Sequence, residues 1–271
     1  MPLDILPIVI LNGRPASGKS EILDYLKKVP LDERARRFHI GEFDEFDDFP
    51  ILWERFEDDD IWEMYGYPRL ISDTHFEYEG KTYSGYVFKN VFFWHYLIRK
   101  LSENYERRLR DHDRYHETHT AMFEFARGSQ HGGFAAAYRY LSASVLARAS
   151  TMYVHVTWEE SLRKNRRRWN PDKPDSVLEH SLEERKMEFL YKDSDWKQFS
   201  AADAEYLRVQ TLPWPQRGGK ETLAGREFRV PYAVFENMPE KTDKPEVLGA
   251  HLEEVCARLW KLHQGRGRVS G

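Results

Sequence analysis

Pro7-Ile8-Val9-Ile10-Leu11-Asn12-Gly13-Arg14-Pro15-Ala16-Ser17-Gly18-Lys19-Ser20-Glu21-Ile22-Leu23 is the stretch whose reading decides the fold. Pro7 to Leu11 is short, branched and apolar, as a strand buried on both faces must be. Lys19 to Lys28 then places Ile22, Leu23 and Leu26 at helical spacing, and Pro30 is expected to end that helix. Between them lies a loop bounded by glycines. Glycine lets backbone N–H groups turn toward an anion with no Cβ in the way. A helix starting near Ser17 would add its positive N-terminal end.

The loop spells Gly-x-x-x-x-Gly-Lys-Ser, the pattern of a triphosphate-binding loop, and it sits where that loop must sit, between strand and helix. Gly13, Arg14, Pro15, Ala16, Ser17, Gly18, Lys19 and Ser20 are therefore expected to cradle ATP. Lys19 would reach the β- and γ-phosphates, and the Ser20 hydroxyl would bind Mg²⁺.

Working outward, Arg37 to Phe43 reads as a second strand running into the acidic stretch Asp44 to Asp48. Residues 50–80 are aromatic and acidic, with a hairpin pattern over Phe76 to Tyr83. A long helix is expected over 88–110, a third strand over Thr118 to Ala126, and an alanine-rich helix over 134–149. Met152 to Val156 reads as a fourth strand. Thr157 with Glu160 forms a capping-box pattern that starts a helix carrying Arg163, Lys164, Arg166, Arg167 and Arg168. Asn170 to Asp175 breaks it. A further helix over about 181–192, a mixed stretch 206–228 with a Gly218-Gly219 turn, a strand Val230 to Phe235 and a helix 245–263 complete the chain, with a tail from Gly265. Strands alternating with helices predict a parallel sheet covered on both faces. The expectation is one domain over 1–271, with an acceptor-binding insert at 50–115 and a lid-like helical region at about 157–200.

Composition narrows the function. The 271 residues carry 41 Lys and Arg against 45 Asp and Glu, a formal net charge of −4. That balance argues against nucleic acid as partner, because phosphate neutralisation needs a cationic surface. No apolar window is long enough to cross a membrane, and the N-terminus shows no secretory pattern. A single cysteine, Cys256, excludes an internal disulfide and reads as a small core residue. A cytoplasmic setting is the simplest expectation.

Neither an Asn-Lys-x-Asp base-reading motif nor a Leu-Ser-Gly-Gly-Gln signature occurs, which removes GTPases and transport ATPases. The chain resembles the P-loop small-molecule kinases of the nucleotide-kinase-like group, which includes chloramphenicol phosphotransferase, zeta toxin, polynucleotide kinase and the nucleoside kinases. The resemblance rests on Ile10 to Ser20, on an acidic residue at the end of the second strand, and on an arginine-rich helix after the fourth. It spans roughly 5–48, 118–168 and 228–263. It implies a P-loop NTPase fold and transfer of the γ-phosphate of ATP to a hydroxyl of a small molecule. Val230 to Asn237 and the turn after it would border the adenine.

Phosphoryl transfer needs an acceptor-positioning carboxylate, a metal and cations around the γ-phosphate. Asp44 is the chosen carboxylate, with Asp47 and Asp48 as alternatives, because open α/β sheets bind ligands at strand C-termini. Glu124 inside an apolar strand demands a partner or a metal; it is assigned to the Mg²⁺ water shell, and Arg127 to the acceptor or a phosphate. Arg163 and Arg167, one helical turn apart, would meet the triphosphate from the lid. His112, His116 and His119 read as the polar approach to the third strand rather than a zinc site. The aromatic residues Trp53, Phe56, Trp62, Tyr65, Tyr67, Phe76, Tyr78, Tyr83 and Tyr86 supply either acceptor walls or the core of the insert. Two other outcomes stay open: a polynucleotide 5′-kinase, and a non-catalytic nucleotide-binding regulator.

Overall fold

The computed structural model describes residues 2–168, 182–215, 222–223 and 225–266. The Asn170 to Asp175 break, the Gly218-Gly219 turn and most of the tail from Gly265 lie outside the described residues.

In chain order, β1 (Ile8–Gly13) leads into α1 (Lys19–Lys28), α2 (Leu31–Phe38), β2 (Glu42–Asp47) and α3 (Asp48–Met64). The hairpin β3 (Ser72–Tyr78) and β4 (Lys81–Phe88) follows, then α4 (Phe92–Asp111), β5 (His119–Phe125), α5 (Gly133–Arg139) and α6 (Ala143–Leu146). The second half holds β6 (Ala149–His155), α7 (Trp158–Arg168), α8 (Glu184–Tyr191), α9 (Trp196–Ser200) and β7 (Tyr206–Gln210). The short β8 (Trp214–Pro215) and β9 (Thr222–Leu223) pair with each other before β10 (Glu227–Glu236) and α10 (Pro245–Gly265).

The main sheet runs β2-β5-β1-β6-β10-β7. Its first five strands are parallel, and β7 pairs antiparallel with β10 at the edge. The fold is thus mixed α/β with a mostly parallel sheet; the antiparallel edge corrects the all-parallel expectation. The crossover from β5 to β6 passes β1, so the strand order reverses beside the strand that feeds the glycine loop. That is the place where open sheets leave a crevice for a ligand.

Alternation along β1 explains why its sequence is apolar throughout. Ile8 and Ile10 join the core on the α4 and α5 face, with Phe123, Phe125 and Phe134. Val9 and Leu11 join the opposite core with Ile22, Leu26 and residues of α10. Each of these fully buried aliphatic side chains contributes about 1.5–3 kcal/mol.

Several boundaries differ from expectation. Pro30 does end α1, but it also opens α2, where a strand from Arg37 was expected. Ala35 and Phe38 are three apart and buried on one helical face, and the buried Arg34 donates to the Gly41 and Leu26 carbonyls at 3.0 Å each. Met122 and its neighbours fall as expected within β5, whereas 134–149 breaks into α5, α6 and the start of β6. Residues 48–64, read only as acidic and aromatic, form α3. The long α4 belongs to the main core through Leu97, Ile98 and Leu101, so the part that stands apart from the sheet is α3 and the hairpin. No described helix is long and apolar enough to cross a membrane.

Candidate active site

A cleft of about 970 Å³ lies beside the C-terminal ends of β2 and β5. Its floor is the loop from Pro15 to Ser20, with Asp47, Asp48, Glu124 and Arg127 alongside. Phe49, Leu52, Trp53, Phe56, Tyr86 and Trp94 form one wall, and Arg168, Leu182, Lys186, Leu190 and Tyr191 the other.

The loop holds its shape through the two glycines. Gly13 has φ 154, and a Cβ there would lie 2.6 Å from Ser17 Oγ and 2.7 Å from the Val154 carbonyl. Gly18 has φ 113, and a Cβ would meet Asn237 Nδ2 at 2.8 Å. Ala16 is held at φ 54, a left-handed conformation that disfavours a side chain. Behind the loop, fully buried Asn237 donates to the Ser17 carbonyl at 2.8 Å and to Thr242 Oγ1 at 3.2 Å. Asn237, expected beside the adenine, thus braces the glycine loop from behind.

Lys19 is the pivot of the floor. Its ammonium donates to the Arg14 carbonyl at 3.1 Å and lies 3.7 Å from Glu124 Oε1. Ser20 lines the cleft at the first turn of α1, whose N-terminus carries no side-chain cap. Ser17 Oγ is buried with no hydrogen-bond partner among the described residues. Uncapped N–H groups, an orphan hydroxyl and a buried ammonium are together the donors that an anion site needs. Gly13 and Arg14 do not line the cleft. The Arg14 guanidinium turns outward to the Tyr191 and Lys192 carbonyls at the end of α8 and lies over the Trp158 ring.

Asp44 does not face the cleft, whereas Asp47 does. Asp44 lies in mid-strand opposite Ala121, and its Oδ1 accepts from Arg108 at 2.9 Å, outside the cleft. Side chains alternate along a strand, so Asp44 and Phe46 turn toward α4 while Asp47 turns toward the loop. Asp47 is the last residue of β2, in register with Glu124, and its Oδ1 accepts from Phe49 N at 3.0 Å to cap α3. Burial, followed by the charges of Asp48 and Glu124, pushes the Asp47 carboxyl up to about 7. Burial likewise raises Glu124, against the pull of Lys19.

Arg127 is where the sequence placed it, at the cleft, but it is engaged. Its guanidinium is buried, pairs with Asp48 at 2.6 Å and donates to the carbonyls of Ala126 at 2.6 Å and Trp94 at 3.1 Å. It sits 5.5 Å from the Trp94 ring centroid, and Trp94 in turn packs on the buried His131 at 3.8 Å. Arg127 therefore shapes the floor instead of standing free for a phosphate.

Arg163 and Arg167 do not reach the cleft. Arg163 pairs with Glu160 at 2.7 Å and Glu240 at 3.2 Å, and Arg167 lies 3.7 Å from Glu240. They lie on the side of α7 that faces Glu240, which also pairs with buried Lys164 at 2.9 Å. The arginine of this run that lines the cleft is Arg168, paired with Glu21 of α1. The Thr157 hydroxyl accepts from Glu160 N at 3.2 Å as the capping pattern predicts, but the Glu160 carboxylate goes to Arg163.

Of the nine aromatics in the insert, Trp53, Phe56 and Tyr86 line the cleft. Phe76 and Tyr78 pack on Phe189, Tyr83 stacks on Phe76, and Trp62, Tyr65 and Tyr67 are exposed on the far end of α3. Tyr105 takes His116 as a hydrogen-bond partner at 2.7 Å, and no cluster of three potential metal ligands occurs among the described residues. Sequence reasoning placed α8 only within the lid-like region and gave no role to Phe49 or Leu52, which fell in a stretch read as acidic and aromatic.

No protein-family model matches the chain, and comparison with curated proteins gives no match either.

Proposed function

We propose that this chain is an ATP-dependent phosphotransferase that moves a γ-phosphate to a hydroxyl of a small molecule. The observation that carries the reading is one continuous cleft. It joins the loop from Pro15 to Ser20, with Lys19 among its lining residues, to a carboxylate at a strand end and an aromatic second compartment. Phosphoryl transfer needs those three parts in line and little covalent chemistry from the protein.

In this reading the loop N–H groups and Lys19 hold the β- and γ-phosphates. The donor set suits Mg²⁺, which favours a hydroxyl, phosphate oxygens and water over an all-protein cage; Ser20 would ligate it and Glu124 would order its water. The bound ion supplies charge neutralisation between the phosphates. The acceptor oxygen forms a bond to the γ-phosphorus as the bond to the β–γ bridging oxygen breaks. ADP leaves with that electron pair, and the hydroxyl proton passes to the Asp47 carboxylate. A carboxyl raised to about 7 suits that task at neutral pH. Arg168 and Lys186 supply positive charge from the wall opposite α3.

The test is transfer of label from γ-labelled ATP with Mg²⁺ to pooled small alcohols, beside Asp47→Asn. Label moving to one acceptor, and falling at least a hundredfold in the variant, supports the reading. Tight ATP binding without transfer to any acceptor overturns it in favour of a nucleotide-binding regulator.

A further inference from the structure

Most of the ionic groups of the cleft gather at one end. Lys19, Asp47, Glu124 and the Asp48–Arg127 pair gather at the ends of the loop and the strands. The compartment beyond them is bounded by Leu52, Trp53, Phe56, Tyr86 and Leu190, with the stem of Lys186 beside Gly85. Phe56 and Tyr86 stack at 5.0 Å with 16° between their planes, and Trp53 stands edge-on to both at 5.9 Å.

This wall is built rigid. The Tyr86 hydroxyl donates to Asp60 at 2.8 Å, so the phenol presents its ring and not its oxygen. Arg69 lies 5.3 Å from that ring centroid and donates to Asp60 at 2.6 Å and to Ser72 Oγ at 2.9 Å. Fully buried Asp59 accepts from Leu70 N and Ile71 N at 2.9 Å each, and from the Ser72 hydroxyl at 2.8 Å. These bonds tie the end of α3 to the hairpin that carries Tyr86. A wall fixed before the ligand arrives binds a flat partner without ordering cost. Trp53 Nε1 is buried with no hydrogen-bond partner among the described residues, the kind of donor that one substituent on a ring satisfies.

We propose that the acceptor is a flat, largely apolar aromatic alcohol, its ring against Trp53 and Phe56 and its hydroxyl projecting from one end toward Asp47. This rests on the phosphotransferase reading. The ring recovers the stacking and apolar burial that Trp53 and Phe56 offer. A sugar, a polyamine sugar or an oligonucleotide would press several polar groups against the same rings. Each unmatched hydroxyl weakens binding by roughly tenfold or more. A nucleoside meets the same obstacle along the edge of its base.

The experiment uses the full chain with ATP and Mg²⁺, and offers 2-(2-naphthyl)ethanol, uridine, glucose, kanamycin and a 5′-hydroxyl oligonucleotide. Two readouts run in parallel: label transfer, and quenching of tryptophan emission by each acceptor without ATP. Trp53→Leu is compared with Trp53→Phe, and melting curves check that both fold. Expected are quenching by the naphthyl alcohol that is lost in both variants, and the highest kcat/KM among the five. In Trp53→Leu, KM for that alcohol rises at least tenfold with ATP affinity within twofold; Trp53→Phe restores most of it. Higher kcat/KM for any of the other four overturns the acceptor class and leaves the phosphotransferase reading standing. Trp53-dependent quenching with no transfer to any acceptor keeps the ring site and overturns the phosphotransferase reading. Neither quenching nor transfer with the naphthyl alcohol overturns the inference.

Discussion

Arg127 and Asp48 form a buried ion pair, Nη2 to Oδ2 at 2.6 Å, with side chains 1% and 10% exposed. Two further carbonyls, of Ala126 and Trp94, take N–H groups of the same guanidinium. The pair ties β5 to the first turn of α3 and to α4, so the floor and one wall of the cleft depend on it. Removing one partner strands the other charge without water. Arg127→Met is expected to cost about 3–5 kcal/mol by urea unfolding. The double variant Arg127→Met with Asp48→Leu should recover much of that loss, because no buried charge remains. A double variant as unstable as the sum of its singles would remove the pair from this role.

Lys19 stands in a different position, because its bond to the Arg14 carbonyl closes the loop while its charge also faces Glu124. Lys19→Ala is expected to weaken ATP binding at least tenfold and to lower transfer at least a hundredfold, since the contact strengthens on the transferring group. Calorimetry and label transfer read the two effects separately. Loss of both with an intact melting transition identifies Lys19 with the phosphates; loss of the transition makes it a structural plug for Glu124.

What was legible in the sequence follows from locality. Residues 7–28 carry strand, loop and helix within one short stretch, and every signal there is set by near neighbours, so strand, glycine loop and helix came through whole. The sheet's central strands are buried on both faces and announce themselves as apolar runs. β2 does not, because it is an edge strand of composition Glu-Phe-Asp-Glu-Phe-Asp whose exposed face tolerates charge. Its start was placed too early, and with it Asp44 was read at the strand end, where Asp47 lies. The arginines failed for a related reason. Spacing shows which residues share a helix face, and not what that face meets; here Glu240, more than seventy residues away, takes Arg163, Lys164 and Arg167.

The Glu240 cluster yields its own test. Lys164 is 2% exposed and Arg163 is 52% exposed, although both meet the same carboxylate. Glu240→Ala leaves a buried ammonium unpaired and is expected to cost about 2–4 kcal/mol. Arg163→Ala loses only solvent-exposed pairs with Glu160 and Glu240 and is expected to leave stability nearly unchanged. Neither change should alter kcat by more than about threefold, since neither residue reaches the cleft. A large fall in kcat for Arg163→Ala would return that arginine to the triphosphate.

Asp47 and Asp44 separate by activity, stability and pH together. Asp47→Asn keeps an oxygen to cap α3, because asparagine caps as well as aspartate, and it removes a carboxylate that burial and its acidic neighbours disfavour. The folded-state value is raised to about 7 from an ordinary 3.8, so the folded chain binds the extra proton between those limits. Stability from this group is therefore present at low pH and is lost as pH rises toward 7. At pH 8 the asparagine variant should unfold later than the parent, by up to about 4 kcal/mol. Catalysis runs the other way: transfer needs the ionised carboxylate, so kcat/KM should climb through pH 7 in the parent and fall at least a hundredfold in Asp47→Asn. Asp44→Asn loses its pair with the half-exposed Arg108, keeps an oxygen toward Tyr115, and should leave the rate within about twofold and stability within about 1 kcal/mol. A stabilised but inactive Asp47→Asn beside an active Asp44→Asn fixes the proton acceptor at the end of β2; the reverse pattern of activity would move it back into mid-strand, against the alternation that turns Asp44 toward α4.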